Sequence, residues 1–341
     1  MSKYDAPDPE WGPIEEQLPP PFDFNTDPAI LQDHWVKVTQ PAMAHIMKAR
    51  LSENAKYRLE DHKVPVEGGE INVRVVIPEY GGTDASYPLV IWMHAGGWVV
   101  GNVDQDDYWT RLLSTELHVT IVNVEYRLAP QHPFPTGLND SYAAVKWAAS
   151  NADRLSASLE KGFIVAGQSA GGNFSAVISH RALADPFFSD KPLTGQFLCV
   201  PTTLRWEVVP EKYKSELRSW EIYGKTKMLG ADTVQWFYNH YQAPPDSPEM
   251  SPALYPSHSG LPPAYIQASG HDPLRDEAIL YERLLREAGT PTRFDIYPGL
   301  PHGFQMAAPH IKATQKLLHD TYCGFRWLLA GQRARKTFFL D

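Results

Sequence analysis

Only two cysteines, Cys199 and Cys323, occur in 341 residues. That is too few for a disulfide framework, so a reducing compartment is the simpler expectation and both thiols read as core residues. Basic residues are in deficit. The formal net charge is -9, and no basic run with interleaved aromatics offsets it, which argues against nucleic acid or an anionic membrane surface as a partner. No stretch of about 20 apolar residues is present, so no membrane span is expected. The start, Met1–Asp8, lacks the apolar h-region of a secretory signal, and the ending Phe338–Asp341 matches no retention or peroxisomal tail. A cytoplasmic location is the resulting expectation. There is no internal repeat or low-complexity linker. Metal-ligand clusters, phosphate loops and dinucleotide fingerprints are also missing, so neither a metal nor a cofactor is expected.

What is present fits a globular chain: 43% hydrophobic and 21% charged residues, enough for one large α/β domain or two ordinary ones. Residues 1 to about 28 are rich in proline and acid, with Pro19-Pro20-Pro21 at their centre, and read as an extended arm packed on something else. From Pro28 to about Leu51 the spacing of Ile30, Leu31, Trp35, Val38, Met43, Ile46 and Met47 predicts helix, divided or kinked at Pro41. A hairpin follows, in which Val64-Pro65-Val66 and Ile71–Pro78 flank Gly68-Gly69. Apolar strands are then expected at Pro88–Met93, Thr120–Val124, Phe163–Ala166, Gln196–Val200, Ala264–Ala268 and Arg293–Tyr297. Helices are expected at about Tyr108–Leu117, Asn139–Ala152, after Ser169, from an Asp276 N-cap to Gly289, and at about Ile311–Leu329. Such alternation predicts an α/β fold, with a mostly parallel central sheet flanked by helices. The aromatic-rich stretch from about Thr203 to Ala253 breaks it. Fifty-odd residues between two strands exceed one crossover helix, so the segment reads as an inserted cap.

The chemistry centres on Gly167-Gln168-Ser169-Ala170-Gly171. A short apolar strand, a glycine-flanked serine and a helix start form the turn that lifts a hydroxyl above a sheet edge. The bare pattern arises by chance in roughly one chain in ten of this length, so its partners decide. Acyl transfer by serine needs a base, an acid that orients it, and donors for an oxyanion. His302, in Pro298-Gly299-Leu300-Pro301-His302-Gly303-Phe304 after the last strand, is the candidate base. Asp272, next to the preceding strand and fixed by Pro273, is the candidate acid, with Asp276 as the alternative. The order Ser169, Asp272, His302 is that of α/β-hydrolases rather than of chymotrypsin or subtilisin. Backbone N–H groups in His94-Ala95-Gly96-Gly97-Trp98, with that of Ala170, are the candidate oxyanion donors.

Five motifs carry a family resemblance: His94–Gly97, Tyr126-Arg127-Leu128-Ala129-Pro130, Gly167–Asn173, Asp272–Glu277 and His302-Gly303-Phe304. In this order they resemble the hormone-sensitive-lipase-like branch of the α/β-hydrolase superfamily, its fungal and bacterial esterases above all. The resemblance spans about 64 to 330 and implies an α/β-hydrolase fold. It implies Ser169, Asp272 and His302 as the triad, and Gly96, Gly97 and Ala170 as the oxyanion hole. The implied division is 1–62 as arm and cap helices, 63–202 with 254–341 as core, and 203–253 as inserted cap. Trp98, Trp206, Trp236 and Phe304 are the expected pocket aromatics. Two residues depart from the family pattern: Ala95 replaces the first glycine, and Gln168 stands where an aspartate is usual.

A serine carboxylesterase acting on short or medium acyl esters of a small molecule is the first expectation. The second is a tailoring enzyme with the same machinery that deacetylates, lactonises or transfers an acyl group on a polyketide-like substrate. A non-catalytic small-molecule receptor is the third, and His302 argues against it because a receptor has no need of a base. The expected partner is a small-molecule ester; a homodimer is left open, and the sequence assigns no oligomeric state.

Overall fold

The computed structural model describes residues 4–19, 25–82 and 84–337. Most of the Pro19-Pro20-Pro21 run and the ending Phe338–Asp341 lie outside the described residues. Eight strands form one sheet: β1 Tyr57–Val66, β2 Gly69–Pro78, β3 Leu89–Met93, β4 Thr120–Glu125, β5 Phe163–Gln168, β6 Gly195–Cys199, β7 Ala264–Ser269 and β8 Thr292–Tyr297. Their order is β1-β2-β4-β3-β5-β6-β7-β8. The β1–β2 hairpin and the β2–β4 pair are antiparallel, and every pair from β4 to β8 is parallel.

The central strands read as unbroken apolar runs because both faces are covered. Strand period sorts their residues. Leu89, Ile91, Met93, Phe163 and Val165 join one core with Ala144, Val145, Val177 and Ile178 of helices Thr136–Ser150 and Ala170–Ala184. Val90, Trp92, Ile164 and Ala166 turn the other way, onto Leu113, Phe325 and Leu328 of helices Asp107–Leu117 and Lys312–Thr337. The parallel strands therefore end together, and the loops after β3, β5, β7 and β8 meet at that edge.

Several expectations shift. The hairpin begins at Tyr57 rather than at 63, because β1 pairs along the whole of β2. Pro41 neither splits nor sharply breaks its segment. Helix Pro28–His34 runs through a π-helical turn, Trp35–Thr39, into helix Gln40–Lys48, with Pro41 at the start of the last piece, where its missing N–H costs little. The arm is not wholly extended, since Gly12–Gln17 is helical and Trp11 is buried against Tyr297, Leu300 and Phe304. Asp276 is not a helix cap. Helix Arg275–Glu287 starts from Leu274, and the Asp276 carboxylate accepts the N–H groups of Arg218 and Ser219 at 2.8 and 2.7 Å. That ties the segment between β6 and β7 to the loop after β7. Within this segment, helix Ala231–Tyr241 packs on the loop after β3.

Candidate active site

The turn after β5 is as tight as its glycines allow. A Cβ on Gly171 would lie 2.0 Å from the Met93 carbonyl oxygen, and one on Gly167 would lie 2.4 Å from the Gly171 backbone. Ser169, at φ 54° and ψ -113°, occupies a region that non-glycine residues avoid, a strain characteristic of functional turns. It is held by its own N–H, which donates to the Cys199 carbonyl at 2.8 Å, and by the Asn173 N–H, which donates to the Ser169 carbonyl at 2.9 Å. The Asn173 side chain in turn donates to the carbonyls of Thr202 and Met250, at 3.0 and 2.9 Å.

The structure brings Ser169, His302 and Asp272 into one hydrogen-bonded chain. Ser169 Oγ is 3.0 Å from His302 Nε2, and His302 Nδ1 is 2.7 Å from Asp272 Oδ2. An ionised carboxylate can only accept, so Nδ1 carries the ring proton and Nε2 is left free to accept from the serine. Asp272 is 1% exposed and His302 8%. The other oxygen of Asp272 accepts the Leu274 N–H at 2.9 Å, which fixes the carboxylate. The loops after β7 and β8 are laced together, with the N–H of Gly270 donating to Tyr297 and that of His271 to Leu300, each at 2.8 Å.

A further tie was not legible in sequence. The N-terminal arm crosses both loops so closely that a Cβ added to Gly270 would lie 2.5 Å from the Tyr4 carbonyl oxygen, and one added to Gly299 would lie 2.2 Å from that of Ala6. Asp5 accepts from Arg275 Nη1 at 2.8 Å and from Tyr223 Oη at 2.6 Å, and Arg275 also donates to the Gly270 carbonyl at 2.8 Å.

In the loop after β3, Gly96 has φ 129° and Gly97 φ 57°, and Trp98 follows at φ 64°. The N–H groups of Gly96 and Gly97 find no acceptor among the described residues. That of Ala170 opens a helix and so has no intrahelical acceptor. These are orphan donors in the loops that follow β3 and β5, the kind of group an oxyanion draws on. His94 is fully buried, stacks on Tyr126 at 4.1 Å, and is pushed down to about 4 by burial, partly opposed by its bond to the Ala95 carbonyl. Ala95 contributes that carbonyl, which also accepts from Gln105 Nε2 at 3.3 Å.

The four pocket aromatics do not converge. Trp98 is buried against Tyr241, Trp236 packs on Phe237 and His240, and Phe304 is sealed against Tyr297. Trp206 stacks on Trp220 in a separate surface cleft. A cavity of about 50 Å³ lies next to Gln168 instead, walled by Met43, Met47, Trp92, Trp109, Met306 and Leu317, with Asp106 among its polar members. Helical spacing marks Met43 and Met47 as one face, but nothing local says what that face covers. Among the described residues, no group of three or more His, Cys, Asp or Glu side chains could hold a metal, and no helix is long and apolar enough to cross a membrane.

Comparison with known proteins agrees with this geometry. The family described as alpha/beta hydrolase fold matches residues 90–306. The chain is 34% identical over 267 residues to a versiconal hemiacetal acetate esterase of Dothistroma septosporum, covering 77% of this chain and 80% of that protein. It is 33% identical over 286 residues to the carboxylic ester hydrolase LipN of Mycobacterium tuberculosis, covering 82% and 73%. The crystal structure of vibralactone cyclase superposes with a TM-score of 0.93 at 40% identity, covering 97% of both chains. The chain belongs to the α/β-hydrolase family, in its hormone-sensitive-lipase-like branch.

Proposed function

We propose that this protein is a carboxylesterase-type serine hydrolase that cleaves short or medium acyl esters of a small molecule through an acyl-enzyme. The observation that carries the reading is the chain of contacts Ser169 Oγ to His302 Nε2 to Asp272, at 3.0 and 2.7 Å. In this reading His302 takes the Ser169 proton as Oγ attacks the ester carbonyl carbon. The carbonyl oxygen, now an oxyanion, accepts from the N–H groups of Gly96, Gly97 and Ala170. Collapse of the adduct breaks the ester C–O bond, and His302 returns its proton to the departing alcohol. Water then gives a proton to His302 and attacks the acyl group, releasing the acid and restoring Ser169. Asp272 holds the imidazole in the required tautomer throughout. The roles of cap and core follow the same division: 1–62 and 203–253 cover the site, and 63–202 with 254–341 carry it. The packing of helix Ala231–Tyr241 on the Gly96–Trp98 loop supports this. Two unpaired cysteines support a cytoplasmic location, and β8, an edge strand, offers a surface for a homodimer.

The experiment is hydrolysis of p-nitrophenyl esters of graded acyl length, alongside Ser169→Ala and an organophosphonate probe. Saturable release that falls off beyond about six carbons, with the probe's mass on Ser169, is the expected result. Release equal to that of the Ser169→Ala protein, with no labelling, rejects the reading.

A second reading is favoured by the resemblance to vibralactone cyclase along nearly the whole chain. If a hydroxyl of the substrate replaces water at the second step, the same acyl-enzyme yields a lactone or a transferred acyl group. Product analysis with hydroxyl-bearing substrates separates the two, as free acid or as ring-closed ester.

A further inference from the structure

One carboxyl group beside the site takes no part in the chemistry above. Asp106 is the N-cap residue of helix Asp107–Leu117, where an aspartate ordinarily accepts an N–H of the first turn. It makes no such bond. The residue is 5% exposed, and Asp106 Oδ2 accepts from Trp92 Nε1 at 2.8 Å. The second oxygen has no partner among the described residues, although the residue lines the cavity next to Gln168. A forgone cap and an incompletely bonded carboxyl in a largely buried residue are both unfavourable. Neither loss is recovered within the described residues.

The cavity holds a second free polar group. Gln168, one residue before Ser169, also lines it, and its side-chain amide has no partner among the described residues. Gln105 and Gln267 differ. Gln105 Oε1 accepts from Trp35 Nε1 at 2.8 Å, and Gln267 Nε2 donates to Tyr265 and Tyr297 at 2.7 and 2.9 Å. With Gln305, whose side-chain amide also has no partner among the described residues, three such groups share a cavity whose remaining walls are mainly thioether, aliphatic and aromatic. At about 50 Å³, it has room for about four water-sized groups.

Resting on the esterase reading, we infer that this cavity receives one short apolar group of the substrate ester, and that Asp106 and Gln168 read a hydroxyl carried on it. A hydroxyl donates and accepts at once, which suits a carboxyl oxygen and a side-chain amide together. The apolar walls disfavour a charged group, which would enter with its hydration stripped. Burial lifts the Asp106 carboxyl to about 6, as expected where no cation stands near. A site built to bond a hydroxyl discriminates strongly against the analogue lacking it.

Two substrate pairs test this and identify which side of the ester enters. One is p-nitrophenyl 3-hydroxybutanoate against p-nitrophenyl butanoate, the other 4-hydroxybutyl acetate against butyl acetate. The quantity read is the ratio of kcat/KM, hydroxylated over plain. In wild type the ratio should exceed one by about tenfold in one pair. It should fall close to one in Asp106→Leu and in Gln168→Leu, the second variant deciding if the first does not fold. A wild-type ratio at or below one in both pairs overturns the inference, as does a ratio unchanged in the folded variants. Failure of the esterase reading looks different: no member of either pair is then hydrolysed in a Ser169-dependent way.

Discussion

Trp98 and Tyr241 stack face to face, with ring centroids 4.5 Å apart and planes 5° from parallel. The pair joins the loop after β3 to the helix that precedes β7 and holds Trp98 at a positive φ that a bulky residue adopts only under constraint. The same helix presses Phe237 on Gly97, where an added Cβ would fall 2.3 Å from the ring. Gly97→Ala should therefore displace the loop's N–H groups. The expected loss is about 100-fold in kcat with little change in KM. Steady-state kinetics read this, and an unchanged circular dichroism spectrum separates it from unfolding.

Asp272→Asn keeps the shape of the carboxyl and removes the charge that selects the His302 tautomer. A fall in kcat of about 10³ to 10⁴ is expected. Asp276→Asn should cost less than about tenfold, since its partners are the backbone of 218 and 219 and Arg275. The reverse ranking would move the acid's role to Asp276.

Acid stability should carry the signature of His94. Burial holds its folded-state value at about 4 against an ordinary 6.5. Between those values the unfolded chain binds the proton and the folded one does not, so stability falls as pH drops through this window. The contribution is about 3 kcal/mol. Urea unfolding from pH 7 to pH 4 should show a smaller decline in His94→Gln than in wild type. Equal declines would show that His94 charges without penalty. Asp106 acts with the opposite sign, because its raised value favours the folded state at the acid end.

Asp5 and Arg275 form a largely buried pair, with side chains 16% and 4% exposed. Without Asp5, Arg275 keeps Asp276 as its charge partner at 2.7 Å but loses one charge-assisted bond, so Asp5→Ala should destabilise by about 2 kcal/mol. The same change frees the loops that carry Asp272 and His302, and kcat should fall about tenfold. Thermal unfolding and kinetics check the two effects. The double variant with Tyr223→Phe should lose less than the sum, because both singles break one network.

Local chemistry is what the sequence displays best. Gly167 and Gly171 announce a sharp turn because any side chain there collides with its own neighbourhood. The motifs of 272–277 and 302–304 stand beside strands whose apolar runs are plain. What the sequence conceals is contact across distance. Asp5 looks like any residue of an acidic, proline-rich arm, and only folding sets it against Arg275. Asp276 has the identity of a helix cap, yet tertiary packing assigns it to residues 218 and 219. Trp98, Trp206, Trp236 and Phe304 share a chemistry that suits a pocket, but composition does not state direction, and three of them point into packed cores. Asp106 stands next to Asp107 with nothing local to show that one turns inward while the other pairs with Arg74 and Arg111.

The π-helical turn at Trp35–Thr39 sets a phase. Upstream of it, Gln32 donates to the Val99 carbonyl at 2.8 Å, and downstream Met43, Ile46 and Met47 wall the cavity. A π turn holds one residue more than an α turn, and each residue of an α-helix advances the azimuth by about 100°. Deleting a single residue from 35–39 would make the segment uniformly α-helical, and anchor and wall would then face different ways. The register between clamp and cavity is thus stored as one surplus residue, so an insertion or deletion there would act more like a change of gear than a change of length.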